Sequence, residues 1–102
     1  MTEANLIKQY LLSLPPNQRL FRNNVGLATT SSGHTIRYGL CKGSSDLIGW
    51  TQVTITPEMV GEKIAIFTAV ELKTKNVKLT KEQANFLEQV KAAGGIAIEK
   101  RE

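Results

Sequence analysis

The chain has only one cysteine, Cys41, and only one histidine, His34. A single cysteine forms no internal disulfide, and one cysteine with one histidine is too few for a structural zinc site. The sequence therefore excludes the small folds that disulfides or zinc hold together. We expect Cys41 to pack as a small apolar side chain and His34 to lie exposed in a turn.

The sequence also lacks a membrane-spanning run and a secretion signal. No segment is long and apolar enough to cross a bilayer, and residues 1–14 lack a basic leader and a small-residue cleavage site. Hydrophobic residues make up 41% of the 102 positions and charged residues 22%, as in ordinary globular chains. We expect one domain, residues 1–102, in the cytoplasm.

Acidic residues are fewer than basic ones, 9 against 13, so the formal net charge is +4. A positive surface raises the local concentration of polyanions, which favours nucleic acid as a partner. Charge alone does not decide this, because many small basic proteins bind no polyanion. Asp46 is the only aspartate in the chain.

Apolar periodicity, caps and turn residues predict a small mixed α/β domain. Pro15 ends the first helix, and Gly94 with Gly95 ends the last one. In chain order the pattern predicts a helix at 2–14, a strand at 19–24, an exposed turn at 29–33, a strand at 35–38, a strand starting at 46–48, a short helix at 56–61, an apolar strand at 64–70, a helix at 80–93 and a strand at 96–98.

Two charged residues close the apolar strand at 64–70. Alternation along a strand places Glu71 and Lys73 on one face and turns Leu72 to the other, into packing. Because the run is apolar on both faces, we expect a buried central strand, where charges at the end need partners. Glu-x-Lys also arises by chance as a solvated ion pair, so the spacing by itself leaves both interpretations open.

Asp46 and Glu71 are the candidate ligands of a divalent metal. Hard oxygen donors suit Mg²⁺ or Mn²⁺, and the backbone carbonyl of Leu72 is a third candidate ligand. Lys73 would hold the attacking water or stabilise developing charge. This set of groups indicates metal-dependent phosphodiester hydrolysis.

Gln83 and Glu3 are further catalytic candidates, each with a structural alternative. Gln83 follows Thr80 by three positions, as in a capping box, yet it also continues the inward stripe of its helix towards the sheet. Glu3 is a candidate metal ligand or water partner, although an acid in the first turn of a helix stabilises the helix dipole in any case.

The candidate residues, with the glycines and polar residues around them, resemble the PD-(D/E)xK nuclease superfamily and, within it, the VRR-NUC (virus-type replication-repair nuclease) family. The chain departs from the superfamily's name at Ser45, where that name has proline. The resemblance covers nearly the whole chain and rests on Glu3, Arg22, Asn24, Gly26, Arg37, Gly39, Gly43, Ser45, Asp46, Glu71, Lys73, Leu79, Thr80, Gln83, Gly94 and Gly95.

The resemblance implies a restriction-endonuclease-like α/β core, in which helices flank a mixed central β-sheet. It also implies a DNA endonuclease that depends on Mg²⁺ or Mn²⁺, with Asp46 and Glu71 as metal ligands and Lys73 as the catalytic lysine. The DNA-binding candidates are Arg22, Asn24, Arg37, Lys42, Ser45 and Lys75. Scattered surface basic residues are often merely solvated, so this role is open for any single one.

The short chain is similar to stand-alone phage or bacterial members of the family, which act in DNA repair and recombination. Such members look like Holliday junction resolvases. A four-way junction has approximate two-fold symmetry, so we expect a homodimer with two matched active sites. A nuclease for flaps or other branched DNA is one alternative, and a non-catalytic DNA-binding module with a nuclease fold is another.

Overall fold

The structure is a computed structural model that describes residues 2–102. Helices and strands alternate irregularly along the described residues, as expected for a small mixed α/β protein. The elements are α1 (Glu3–Leu12), β1 (Gln18–Arg22), β2 (Gly26–Thr29), β3 (Thr35–Tyr38), β4 (Leu47–Thr51), a 3-10 turn (Pro57–Met59), β5 (Thr68–Lys73), α2 (Lys81–Ala92) and β6 (Ile96–Arg101). None of the helices within 2–102 has the length and hydropathy of a membrane span.

The chain divides into two compact units, the first ending at Thr51 and the second running from Gln52 to Glu102. The first unit holds α1 and two separate two-stranded antiparallel sheets, one of β1 with β4 and one of β2 with β3. The second unit holds α2 and one two-stranded parallel sheet of β5 with β6. Each unit therefore carries a different part of the predicted site.

In the first unit, α1 begins where the sequence predicts. The Thr2 hydroxyl accepts a hydrogen bond from the Asn5 amide at 3.2 Å, which satisfies one of the unpaired donors at the helix start. The helix ends at Leu12, with Ser13 as its C-cap, shortly before Pro15 removes the next possible donor. The predicted helix at 2–14 is confirmed, slightly shortened.

The β1–β4 sheet positions the residue that follows Asp46. Its register places Arg22 opposite Leu47, the residue that follows Asp46. A side chain at Gly49 would put a Cβ atom 1.8 Å from the carbonyl oxygen of Arg19, so this close pairing requires glycine. The predicted strands at 19–24 and from 46–48 are confirmed, with Asp46 at the loop-to-strand junction, and the structure shows in addition that they pair with each other.

The β2–β3 hairpin closes over a turn in which the Thr30 amide donates to the His34 carbonyl at 2.7 Å. His34 is exposed, as predicted. The sequence predicts β3 but not β2, because β2 begins at Gly26 and glycine is depleted in strands. The Tyr38 ring occupies the space of the missing side chain, since a Cβ atom at Gly26 would lie 2.3 Å from Tyr38 Oη.

In the second unit, α2 packs on the β5–β6 sheet. Val90 of α2 is only 1% exposed and is the most deeply buried side chain among residues 2–102. The helix ends at Ala92 with Ala93 as its C-cap, and Gly94 follows with a φ of 96° that favours glycine. Gly95 lets the chain pass close to Val90 and the carbonyl of Phe67. The predicted helix and final strand are confirmed, and the strand extends further, to Arg101.

Three expectations about β5 are wrong. The strand begins at Thr68 and not at 64, because only Thr68–Lys73 pairs with β6. It is not a buried central strand, since its one strand partner within residues 2–102 is β6. Leu72 does not point into packing: it is 70% exposed, and Val70 on the same face is 52% exposed. The predicted alternation of side chains along β5 is confirmed, but α2 covers only the face that carries Glu71 and Lys73.

The expectation for Cys41 is also wrong, because this thiol lies exposed. Cys41 belongs to the loop that precedes Asp46, and its backbone carbonyl accepts hydrogen bonds from Ser44. The loop is organised by hydrogen bonds and not by apolar burial. A small apolar side chain therefore finds no core to enter at this position.

Candidate active site

Glu71 and Lys73 lie on the face of β5 that α2 covers. Their side chains are 31% and 13% exposed, and Lys73 Nζ lies 3.8 Å from Glu71 Oε2. The predicted shared face is confirmed. The pair is half-buried and not a fully solvated surface pair, so each charge is held near a defined partner.

Gln83 makes hydrogen bonds both to the start of its own helix and towards the sheet, the two directions that its sequence position allows. Its Oε1 accepts from the Thr80 backbone amide at 3.0 Å, while the Thr80 hydroxyl accepts from the Gln83 amide at 3.1 Å, which completes a capping box. Its Nε2 donates to Glu71 Oε2 at 3.3 Å. One side chain thus joins the start of α2 to the candidate carboxylate.

The backbone carbonyl of Leu72 is not used by the pairing of β5 with β6. The carbonyl of Phe67 accepts from the amide of Ile96 in β6, and the carbonyl of Lys73 accepts from the amide of Glu102 just after β6. Because successive carbonyls along a strand alternate in direction, the carbonyl of Leu72 points to the other edge of β5. No strand pairs with that edge within residues 2–102, so this oxygen lies outside the ladder.

Glu99 is a carboxylate that the sequence reasoning missed. It is the register partner of Glu71 across the β5–β6 pair, and side chains at paired positions share a face. Glu99 forms an ion pair with Arg101 on its own strand, and Arg101 also donates to the Val77 carbonyl. The negative charge of Glu99 is therefore compensated by Arg101 within β6. No sequence signal indicates this neighbour, because the strand pairing decides it.

Asp46 lies exposed at the end of the loop that precedes β4. Its backbone carbonyl accepts from the Asn23 amide at 2.8 Å, and the Asn23 side chain binds Ser44 and Ser45 in the same loop. A cavity of about 350 Å³ adjoins the carboxylate, and its lining is mostly apolar: Leu6, Ile7, Tyr10, Leu20, Ser45, Asp46 and Leu47. Hydrogen bonds hold the loop in place, and Asp46 at its end is exposed to solvent.

Glu3 occupies the first turn of α1 and is exposed. An acid in the first turn interacts favourably with the positive end of the helix dipole, which explains Glu3 at this position without a metal. Within residues 2–102 no three His, Cys, Asp or Glu side chains are grouped so that they could hold a metal ion. The role of Glu3 as a ligand stays a prediction.

The DNA-binding candidates are all exposed. They occupy strand ends and loops, where a phosphate backbone can reach them, and five of the six belong to the first unit. Arg22 ends β1, Asn24 follows it, Arg37 lies in β3, Lys42 and Ser45 lie in the loop before Asp46, and Lys75 follows β5 in the second unit. Exposure is the property that phosphate contacts need.

The candidate residues fit a hard divalent cation by the chemistry of their donors. Asp46 and Glu71 offer carboxylate oxygens and Leu72 a backbone carbonyl, which are the ligands that Mg²⁺ and Mn²⁺ prefer. Both contacts made to the Glu71 carboxylate, from Gln83 and from Lys73, converge on Oε2. Ligation through Oε1 would leave those two contacts in place.

The structure brings Glu71, Lys73 and Gln83 into direct contact in the second unit, while Asp46 and Glu3 belong to the first. Residues 16–99 match the family model of the VRR-NUC domain. The chain belongs to the VRR-NUC family. The family match spans segments of both units and includes Asp46, Glu71, Lys73 and Gln83, whereas Glu3 precedes it. No curated protein and no solved structure matches the chain significantly.

Membership confirms the resemblance on which the sequence-based prediction rests. A VRR-NUC domain is a nuclease domain, so the chain carries a nuclease-type function directed at DNA. The half-buried cluster of Glu71, Lys73 and Gln83 lies inside the matched residues. In this cluster a carboxylate, an ammonium and a side-chain amide lie close together.

Proposed function

We propose that this VRR-NUC chain is a Mg²⁺- or Mn²⁺-dependent endonuclease that hydrolyses phosphodiester bonds in branched DNA. The observation that carries the proposal is the contact network in which Gln83 and Lys73 both engage Glu71 on the covered face of β5. A carboxylate of this kind can bind a divalent metal ion, and an ammonium beside it can stabilise negative charge that develops on a phosphate.

Asp46, Glu71 and the Leu72 carbonyl are proposed to hold the metal ion. The bound ion would neutralise charge on the phosphate oxygens and lower the pKa of water. Glu71 keeps its orientation through the Gln83 amide, and Lys73 places its ammonium within 3.8 Å of the same carboxylate oxygen. From there Lys73 orients the attacking water or stabilises charge that develops on the phosphate.

The assignment of Asp46 to the same site rests on its place in the family match and on its accessible position before β4. We further propose that residues 1–102 form one nuclease domain with a restriction-endonuclease-like core. The family match extends across the division between the two units, which supports one domain and not two independent ones.

DNA binding is proposed to depend on phosphate contacts from exposed basic and polar residues. The net charge of +4 favours association with a polyanion, and contacts of this kind carry no base sequence information. The residues would be Arg22, Asn24, Arg37, Lys42, Ser45 and Lys75. Recognition would follow DNA shape, and affinity would fall steeply with salt.

We propose a Holliday junction as the preferred substrate and a homodimer as the active form. Resolving a junction takes two matched cuts on a substrate with approximate two-fold symmetry. Two copies related by one isologous interface supply two identical sites in that symmetry. A chain that stays monomeric with its DNA would instead favour a flap or another asymmetric branched substrate.

The test compares the wild-type chain with Glu71→Gln and Lys73→Met on four-way, flap and linear DNA, with Mg²⁺, Mn²⁺ or chelator. Both substitutions keep the size of the side chain and remove its charge. We expect metal-dependent cleavage by the wild-type chain and none by either variant. Glu88→Gln and Lys91→Met, at exposed positions of α2, are the matched controls and should cleave normally.

Cleavage that persists in both variants would contradict the assignment of the site. Tight DNA binding without cleavage under any metal would show a non-catalytic DNA-binding module. Sedimentation of the complex with each DNA distinguishes a dimer on the junction from a monomer on a flap.

A further inference from the structure

Asn23 binds the loop that precedes Asp46 at both of its ends. Its side-chain Oδ1 accepts from the Leu40 amide at 2.9 Å, where the loop begins. Its Nδ2 donates to Ser44 Oγ at 2.7 Å and to the Ser45 carbonyl at 2.9 Å, where the loop ends. Its backbone amide donates to the Asp46 carbonyl at 2.8 Å.

Ser44 completes this network from inside the loop. Its hydroxyl donates to the Cys41 carbonyl at 2.6 Å and accepts from Asn23 Nδ2 and, at 3.3 Å, from the Cys41 amide. A serine hydroxyl offers one donor and two acceptor sites, so its capacity is used completely. The two side chains therefore act as one unit.

Asparagine is suited to this position for a chemical reason. The Asn23 side chain uses both amide hydrogens and its oxygen at once, and an aspartate of the same size would lose both donors. Asn23 itself is half-buried, whereas Ser45 and Asp46 are exposed. Asn23 therefore lies half-buried just after β1, while Ser45 and Asp46, which it binds, are exposed to solvent.

We propose that Asn23 is a positioning residue for Asp46, acting with Ser44 to hold the Asp46 backbone in the orientation that metal binding requires. The inference rests on the proposed function, in which Asp46 is a metal ligand. Four hydrogen bonds of Asn23 restrain residues 40–46, which lack regular secondary structure. A ligand on an unrestrained loop would lose conformational entropy on binding.

The experiment measures Mn²⁺ affinity of the full chain without DNA, by the loss of the free Mn²⁺ electron paramagnetic resonance signal. The variants are Asn23→Ala, Ser44→Ala, the double variant and Asp46→Ala. Exposed residues of the same types in the first unit provide the controls Asn5→Ala and Ser31→Ala. All are measured well below their melting temperatures, so that a loss of stability alone leaves the affinity unchanged.

We expect Asn23→Ala to weaken Mn²⁺ binding about tenfold, as partners that orient a metal ligand typically do. Ser44→Ala should weaken it similarly, and the double variant should be no weaker than either single one, because the two act as a unit. In metal-free protein, hydrogen exchange at the Leu40 amide should quicken in Asn23→Ala while the β1–β4 amides stay protected.

The outcomes separate this inference from the function on which it rests. If Asp46→Ala weakens Mn²⁺ binding but Asn23→Ala and Ser44→Ala do not, the positioning role is refuted and the metal site stands. If Asp46→Ala binds Mn²⁺ as tightly as the wild-type chain, the proposed metal site fails and the positioning role fails with it. Additive losses in the double variant would refute the shared network.

Discussion

Replacing Gln83 with alanine is expected to lower both stability and cleavage, whereas replacing Thr80 lowers stability alone. Gln83→Ala removes the acceptor for the Thr80 amide and also the donor to Glu71 Oε2. Thr80→Ala removes the hydroxyl that accepts from the Gln83 backbone amide. It leaves the hydrogen bond from Gln83 Nε2 to Glu71 Oε2 intact. The two variants therefore divide the capping role of Gln83 from its contact with the site.

The magnitudes follow from the bonds that each variant loses. Loss of a threonine cap costs about 1 kcal/mol of folding free energy, which shifts the melting temperature of a domain of this size by roughly 4–8 °C. The Gln83–Glu71 bond involves a charged acceptor, and such bonds contribute about 1.5–3 kcal/mol. Because Glu71 is partly exposed, we take the lower end, which corresponds to about tenfold in cleavage rate.

The assay combines thermal unfolding with single-turnover cleavage at a temperature where every variant is folded. Gln89→Ala, an exposed glutamine on the same helix, is the matched control for both measurements. We expect both variants to melt below the wild-type chain, Gln83→Ala at least as far below as Thr80→Ala because it also loses the bond to Glu71, and slower cleavage only for Gln83→Ala. Equal cleavage by the two variants, or wild-type cleavage by Gln83→Ala, would refute a role for the amide in orienting Glu71.

Three further predictions concern the strands and the surface. Gly49→Ala should lower the free energy of unfolding in urea by about 1–3 kcal/mol, because the added Cβ collides with the Arg19 carbonyl. An unchanged free energy of unfolding would show that β1 and β4 accommodate the added Cβ without destabilising the chain. Leu72→Ala should keep the wild-type Mn²⁺ affinity, because the proposed ligand is the backbone carbonyl and the side chain is 70% exposed; a loss would place the side chain in the site. Lys42→Ala and Lys75→Ala should each reduce the slope of log affinity against log salt by about one in DNA-binding titrations, and an unchanged slope would remove that lysine from the phosphate contacts.

Local sequence signals were sufficient for the helices. Thr2 and Thr80 cap their helices through bonds to residues three positions away, and such contacts depend on little beyond the identity of the neighbours. The common face of Glu71 and Lys73 is equally local, since alternation follows from extended backbone geometry. These features were predictable because few residues decide them.

Burial was less predictable than periodicity. The apolar run before Glu71 indicated a buried central strand, yet only its second half pairs, and Leu72 lies exposed. An apolar side chain is buried only if another element covers its face, and sequence pattern does not specify which face α2 will cover. The same reason explains Cys41, whose loop is held by hydrogen bonds and provides no apolar core.

The sequence by itself determined the family, the helix caps and the residue types of the candidate site, because each depends on residue identity and short spacing. Only the tertiary structure decided that the Gln83 amide reaches Glu71 across twelve positions, and that Asn23 reaches Ser44 across twenty-one. Hydrogen bonds over such separations form only after intervening chain has closed into a loop, at an entropic cost that the packing of whole elements must offset. The contacts that orient the proposed ligands are therefore properties of the fold.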